Sequence, residues 1–405
     1  MNDAAVLGLH PLVSAPILPT LLRLTAPNLA AMLAAALVAV AETYYVGALG
    51  TAPLAGIALV FPLVMLMQML SAGAMGGGVS SAISRALGAG DVARAERLAF
   101  HALAIGLGAG LGSSLVFALF SMQILRALGG RGAALAEALG YANVVLAGAV
   151  LIWLVNTLAS IVRGTGNMRV PSFTLLAGCL LQVGIGGALG LGIGPVPRLG
   201  LAGVGCGIVV ASVAASLFLL WFLASGRGRV RLRVTGARFE RAMFLDILRV
   251  GAVSALGPFQ LVLIMLILTA LAARFGTETL AGYGIGARLE FLLIPVAFAV
   301  GVASLPLVGL AMGAGEIARA RRVAWTSAAL SVAALAAIGL AVTLAPDLWS
   351  GLFTDDPGVR AAANLYLRFA GPGFAFVGLG LSLYFRPRAR TACCRRSSPA
   401  LHGSP

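Results

Sequence analysis

The run Gly88-Ala89-Gly90-Asp91, continued by Ala93, Arg94, Ala95 and Arg97, returns as Gly313-Ala314-Gly315-Glu316, continued by Ala318, Arg319, Ala320 and Arg322. Two further matches lie on either side of it. Gly50-Thr51 and Leu54-Ala55-Gly56 fall on Gly276-Thr277 and Leu280-Ala281-Gly282, and Tyr141 falls on Tyr366. A single glycine match is expected by chance in a chain with 53 glycines. An ordered set at one spacing, broken by a single one-residue gap, is not. The chain therefore reads as two copies of one unit.

What joins these motifs is apolar. The 405 residues are 60% hydrophobic and 10% charged, with a mean hydropathy of +1.01. Soluble domains carry about 25% charged residues. A surface so poor in charge requires lipid as solvent, where about 20 apolar residues cross as a helix and the backbone must satisfy its own hydrogen bonds. Ten spans are expected, at 17–45, 53–84, 98–124, 136–162, 171–194, 200–225, 245–273, 279–311, 323–345 and 360–385. Most exceed 20 residues, so tilt or extension beyond the bilayer is expected.

The net charge of +15 sits in the connections, and its basic residues are all arginine. Arg85, Arg94 and Arg97, then Arg163 and Arg169, then the run from Arg227 to Arg249, then Arg319, Arg321 and Arg322 occupy alternate loops. The intervening loops hold only Arg126, Arg131, Arg198, Arg274 and Arg360. Positive charge collects on the cytoplasmic side, which puts the N-terminus in the cytoplasm of a multi-pass protein of the cell's inner (plasma) membrane. Six spans separate the two copies, so both begin on the same side, a parallel repeat of the kind secondary transporters use.

The one long polar stretch, SGRGRVRLRVTGARFER at 226–242, divides the chain. The expected organisation is an N-terminal lobe of six helices (1–226), a basic linker (227–242), a C-terminal lobe of four helices (243–385) and an aberrant polar tail (386–405). The second copy lacks counterparts for the end of the fourth span through the sixth. The repeat fades after Phe385 into RPRARTACCRRSSPALHGSP, and a frameshift near that point is the expectation. Residues 1–10 lack a basic leader, so a cleaved signal peptide is not expected. Anionic lipid accounts for the linker's charge better than nucleic acid does, and no nucleic-acid partner is expected.

Enzyme chemistry finds no support. The histidines are His10, His101 and His402, and no HExxH, GxSxG or Walker pattern occurs. Cys179 and Cys206 lie in apolar runs, Cys393 and Cys394 in the tail, none with metal-ligand spacing. Gly106-Leu107-Gly108-Ala109-Gly110 lies within an apolar span and reads as close helix packing rather than a phosphate loop. No metal or organic cofactor is expected.

Most of the thirteen acidic residues are in loops; Glu42 and Glu290 lie within or against spans. A charge at the bilayer centre costs about 2.5–3.5 kcal/mol on insertion scales and usually marks an ion pathway. Glu42 is the candidate for proton or cation coupling, with solvation beside Tyr44 and Tyr45 at a helix end as the alternative. Glu290 follows Arg288 and is expected to form an ion pair with an arginine more readily than to couple. Pro27, Pro62 and Pro258 could permit bending. Phe61, Met65, Met67 and Phe259 are candidates for a pocket wall, with packing the commoner role for each. Gln68 and Gln260 are expected only to tie helices together.

Several stretches carry a family resemblance. Ala41-Glu42-Thr43-Tyr44-Tyr45-Val46-Gly47 through Gly50, the Gly88–Asp91 loop, Arg163-Gly164-Thr165-Gly166-Asn167 through Pro171, Gly194-Pro195-Val196-Pro197-Arg198-Leu199-Gly200 through Gly203, and Ala281-Gly282-Tyr283 with Arg288 and Glu290 resemble, in order, segments of the multidrug and toxic compound extrusion (MATE) family. The resemblance covers about residues 16–385. It implies twelve helices in two six-helix lobes, of which this chain has about ten, around a cavity that opens to either side alternately. It implies a monomer that exports cationic or amphipathic small molecules, driven by inward proton or sodium flow. Glu42 stands where the family has its helix-1 carboxylate, more often aspartate. Asn156, Gln182, Tyr45 and Glu290 are the cavity-lining candidates. The family often follows the amide at Gln182 with a carboxylate four residues on; here that residue is Gly186. Losing that oxygen favours protons over sodium, since hard cations want several oxygens. A lipid-linked precursor flippase and a non-transporting remnant are the alternatives.

Overall fold

The computed structural model describes residues 11–232 and 239–384. Part of the basic linker, all of the tail at 386–405 and the side chain of Phe259 lie outside the described residues. Helices occupy all ten of the expected places. The first six are α1 (Ile17–Leu49), α2 (Thr51–Gln68) continuing into α3 (Gly76–Gly88), α4 (Val92–Ala127), α5 (Gly132–Ala147) with α6 (Ala149–Gly164), α7 (Arg169–Leu191) and α8 (Gly200–Ala224). The last four are α9 (Arg241–Ala273), α10 (Thr277–Gly313), α11 (Ile317–Leu344) and, after the short α12 (Asp347–Ser350), the pair α13 (Pro357–Ala370) and α14 (Phe374–Tyr384). Eight of these segments are long and apolar enough to cross a membrane, and the pair α5 and α6 makes nine if counted as one span. The 33-residue α9 is the tenth long segment. Among the described residues there is no strand, so the chain is an all-α polytopic membrane protein.

The repeat motif is a helix start. Asp91 caps α4 by accepting from the Arg94 backbone N–H at 2.8 Å, which satisfies one of the N–H groups that a helix N-terminus leaves open. Gly90 precedes it at φ +76° and Gly315 occupies the same place before α11 at +81°. Glycine is the residue that takes this left-handed conformation without strain. The other repeat glycines do the same: Gly50 and Gly276, at φ +124° and +108°, link α1 to α2 and α9 to α10.

Three of the ten spans are irregular, the tenth through a 3-10 turn at Gly371–Gly373 that contains Pro372. The helices run on through Pro27, Pro62 and Pro258. The second span carries a π-helical stretch at Met69–Met75. The fourth breaks at Gly148, where α5 and α6 meet at 44°. A Cβ on Gly148 would stand 2.9 Å from the Val209 side chain, so the break lets α8 approach closely.

Glycines bring the lobes together. A Cβ on Gly88 of α3 would fall inside the Leu310 carbonyl of α10; one on Gly313 would meet the Arg85 carbonyl, and one on Gly309 would meet Ser84 Oγ. Farther along, a Cβ on Gly78 would stand 2.9 Å from the Ile247 carbonyl of α9, and Asn28 Nδ2 of α1 donates to the Ala299 carbonyl at 3.2 Å. Arg94 pairs with Asp246 and Arg97 with Glu240, tying α4 to the start of α9. Among the described residues, these hydrogen bonds and tight crossings between the lobes lie between mid-helix and the arginine-rich ends. The lobes are thus closed on the arginine-rich side.

Two outcomes are expected. Gly88→Val overpacks the α3–α10 crossing at a cost of about 1–3 kcal/mol, read as a lower Tm and as faster labelling of a cysteine introduced on the arginine-rich side. Asp347, at the opposite end, accepts from Asn364 Nδ2 at 2.9 Å and Arg360 Nε at 3.0 Å. The Asn364 bond, aided by Arg360, holds its carboxyl below the ordinary value. A depressed folded pKa gives stability that is present above the unfolded value and lost as pH falls through the folded one. Asp347→Asn should therefore be less stable than the wild type at pH 6, with the gap in Tm closing as pH falls to about 3.

Candidate functional site

Glu42 lies on α1, seven residues before its end at Leu49, and is 8% exposed. It is not solvated at a helix end: Tyr44 is 84% exposed, while Tyr45 is buried with Glu42. Gln182 of α7 donates from Nε2 to Glu42 Oε1 at 2.6 Å. The carboxylate's charge also falls on Tyr45, on Tyr141 of α5 and on Cys179 of α7. Tyr45 and Tyr141 belong to a buried cluster with Val46, Val145, Leu201 and Val204. The site is thus a polar group set in the apolar interior of the first lobe, where a hydrogen bond to a charged group is stronger than in water. Among the described residues the buried Tyr45 hydroxyl has no hydrogen-bond partner.

Gly186 has a packing role. Its Cβ would lie 3.2 Å from the Val204 carbonyl of α8 and 3.4 Å from Tyr45 Oη. A Cβ on Gly207 would in turn press on Gly186 at 2.7 Å. The space a carboxylate would need is taken up by the crossing of α7 and α8.

The other candidates separate from this site. Asn156 of α6 donates from Nδ2 to Gln68 Oε1 and to Ser71 Oγ, each at 2.8 Å. Ser71 lies within the π-helical stretch and donates to the Met67 carbonyl at 2.8 Å. Asn156 therefore belongs to a second network that binds α6 to the irregular span; π-helical turns recur at functional sites. Gln68 is part of it, joining two spans as an interhelical amide. Met67 is core, 4% exposed, whereas Phe61 is 52% exposed. Gly106 and Gly110 pack against Thr157 and Val150 of α6, as the glycine run suggested.

Among the described residues Glu290 does not form the expected ion pair. It accepts a hydrogen bond from Tyr366 Oη of α13, and Arg288 lies over the Phe353 ring at 5.4 Å. Tyr283 stands edge-on to Tyr366 with ring centroids 5.3 Å apart. The reason is helical spacing: residues two apart point away from each other, whereas a neighbouring helix presents Tyr366 directly. Each lobe thus sets one carboxylate near one of the repeat-related tyrosines, Tyr141 and Tyr366. The repeat contained both tyrosines; only folding shows what they face.

His101 was also hidden. Its position suggests a loop edge, yet it is fully buried. The Glu240 backbone N–H donates to Nε2 at 2.8 Å, so Nδ1 carries the proton and donates to the Arg97 carbonyl at 2.8 Å. Phe100, Phe239 and Phe244 surround the ring. This cluster fastens the end of the linker to α4.

If the Glu290–Tyr366 bond holds α10 to α13, Glu290→Gln and Tyr366→Phe should each lower Tm, and the double variant should lose less than their sum. A coupling of about 0.5–3 kcal/mol is expected; strict additivity in thermal unfolding would show that the pair contributes nothing.

The MatE family model matches residues 27–187 and 254–385. The chain is 27% identical over 403 residues to an FAD transporter of Shewanella oneidensis, covering 93% of this chain and 85% of that one. It is 25% identical over 374 residues to the multidrug export protein MepA of Staphylococcus aureus, covering 90% and 81%. Among solved structures, a MATE transporter in complex with MaD3S superposes with a TM-score of 0.85 at 25% identity, covering 93% of this chain and 84% of that one. An outward-facing MATE family transporter of the MOP superfamily gives 0.84 at 24% identity over the same shares. With the family model matching both lobes, the chain belongs to the MatE family, the multidrug and toxic compound extrusion transporters of the membrane.

Proposed function

We propose that this chain exports cationic or amphipathic small molecules in exchange for protons, with Glu42 as the coupling group. The observation that carries this reading is the buried Glu42 held by the Gln182 amide at 2.6 Å. A carboxylate in this setting is costly to keep charged and is stabilised by few partners, so its protonation state responds to which side the cavity faces. Gln182 turns an N–H toward Glu42 rather than a second oxygen, and position 186 offers none. That donor set suits a proton better than a sodium ion.

The arginine distribution supports an inner-membrane protein with a cytoplasmic N-terminus. On that reading the closed side is cytoplasmic, and Glu42, two turns from the far end of α1, is reached from outside. Protonation there removes the charge that a cationic substrate would neutralise, so proton and substrate exclude one another. Exchange then requires that the two lobe arrangements differ in affinity for each. The proposed transporter is a monomer that needs no metal, organic cofactor or nucleic acid; its driving force is the ion gradient. A second reading, export of an anionic dinucleotide, draws on the similarity to the Shewanella FAD transporter.

Ethidium export is the test, in cells lacking other pumps, with wild type, Glu42→Gln and a version extended by two C-terminal spans. Wild-type export that falls at least about tenfold in Glu42→Gln, roughly 1.4 kcal/mol, supports the antiporter. Export by the extended version alone makes this chain a remnant. If neither exports ethidium although both reach the membrane, drug efflux is the wrong activity; FAD release and lipid-linked precursor flipping then take its place as assays. Replacing the proton gradient with a sodium gradient separates the two driving ions.

A further inference from the structure

The repeat that builds the two lobes also pairs two junctions at the arginine-rich surface. In the first lobe the start of α4 is covered by the start of α9. In the second, the start of α11 meets the start of α1. The register of the repeat places Arg94 on Arg319, Glu96 on Arg321, Arg97 on Arg322, Phe100 on Trp325 and His101 on Thr326.

The two junctions are finished differently. Over α4, Asp246 pairs with Arg94, Glu240 pairs with Arg97 at 3.4 Å, and Phe239 covers Phe100 and His101. Glu96 adds a carboxylate of its own, accepting from the Arg231 N–H at 3.3 Å. Cations, carboxylates and rings are all matched. Over α11 the corresponding carboxylates are missing. Asp246 and Glu240 fall on Thr20 and Ser14, and Glu96 is replaced by a further cation, Arg321. Arg319 donates to the Leu12 and Ala15 carbonyls. Among the described residues no carboxylate pairs with Arg321 or Arg322.

Beside these arginines is a cleft of about 670 Å³ lined by Ile17, Arg321, Arg322, Trp325 and Thr326. Trp325 is 51% exposed there, and Leu18 and Leu22 continue an exposed apolar face down α1 from Ile17. Guanidinium groups and an indole thus stand at the ends of two spans, beside an apolar strip that runs down α1. Arginine forks match phosphate oxygens, tryptophan favours the interface, and basic residues beside a span attract anionic lipid.

We propose that this cleft is a binding site for an acidic glycerophospholipid of the arginine-rich leaflet. Its phosphate lies between Arg321 and Arg322, and its chains lie along Leu18 and Leu22. The lipid supplies to the second lobe the negative charge that Glu240 and Asp246 supply to the first.

The test uses the full chain in nanodiscs, with retained lipid counted by native mass spectrometry. Phosphatidylglycerol should be retained by the wild type and fall about tenfold in the R321Q/R322Q double variant, while phosphatidylcholine retention is low and equal in both. The R321K/R322K variant should keep most of the binding, and R274Q, a charge removed from the other side, should keep all of it. Both controls report folding as well as charge. Equal phosphatidylglycerol retention in wild type and the double variant overturns the proposal, as does equal retention of the two lipids by the wild type. Displacement of the lipid by millimolar inorganic phosphate overturns it in favour of a free-anion site. Phosphatidylglycerol binding that appears only after residues 2–10 are deleted overturns it in favour of the chain's own N-terminal segment.

Discussion

The structure depends on how closely α3 and α10 can cross. In lipid there is little hydrophobic force to press one helix on another, so association rests on close packing and on hydrogen bonds. Gly88, Gly309 and Gly313 remove the side chains that would hold these two helices apart. The backbone carbonyls of Leu310 and Arg85 then sit against the opposite helix. Because Gly88 and Gly313 are the same position of the repeat, each lobe gives the other the same surface. That contact sets the closed side of the molecule, and the pairs Arg94–Asp246 and Arg97–Glu240 lie along its edge.

Closure at one end leaves the polar interior of each lobe to be reached from the other. The first lobe uses this for a carboxylate held by an amide, with the buried Tyr45 on the next turn of the same helix. The second holds Glu290 against Tyr366. The lobes are alike in fold and unlike in chemistry: an amide donor leaves Glu42 one weakly compensated charge, whereas Glu290 is tied to the helix that packs beside it. Asn156, Gln68 and Ser71 sit apart from both, at the π-helical stretch of the second span. The same asymmetry appears on the surface, where one junction pairs Arg94 and Arg97 with carboxylates and, among the described residues, Arg321 and Arg322 of its counterpart have no such pair.

Much of this was legible in the chain. Ten apolar runs gave the helices because lipid accepts few other backbones, and the Gly-Ala-Gly-acid motif gave the turns because a left-handed residue before a capped helix leaves few other choices. Glu42 stood out because an acidic residue within an apolar run is expensive, and Gln182 because it is one of few amides in a span. The partner of Glu290 was misread because neighbours in sequence are poor guides to neighbours across helices: Arg288 is two residues away and turns aside to Phe353. His101 was passed over because burial by a returning linker leaves no local mark.

The sequence by itself determined that this chain is a helical, duplicated membrane protein with a charged side and one costly carboxylate. Composition, periodicity and repetition are local or additive properties, and they survive without coordinates. Only the tertiary structure decided which side is closed, that the space beside Gly186 belongs to a helix crossing, that Asn156 and Gln182 serve different networks, and that Tyr366 rather than an arginine meets Glu290. Those outcomes turn on distances between helices far apart in the chain, where a few tenths of an ångström separate a contact from a clash.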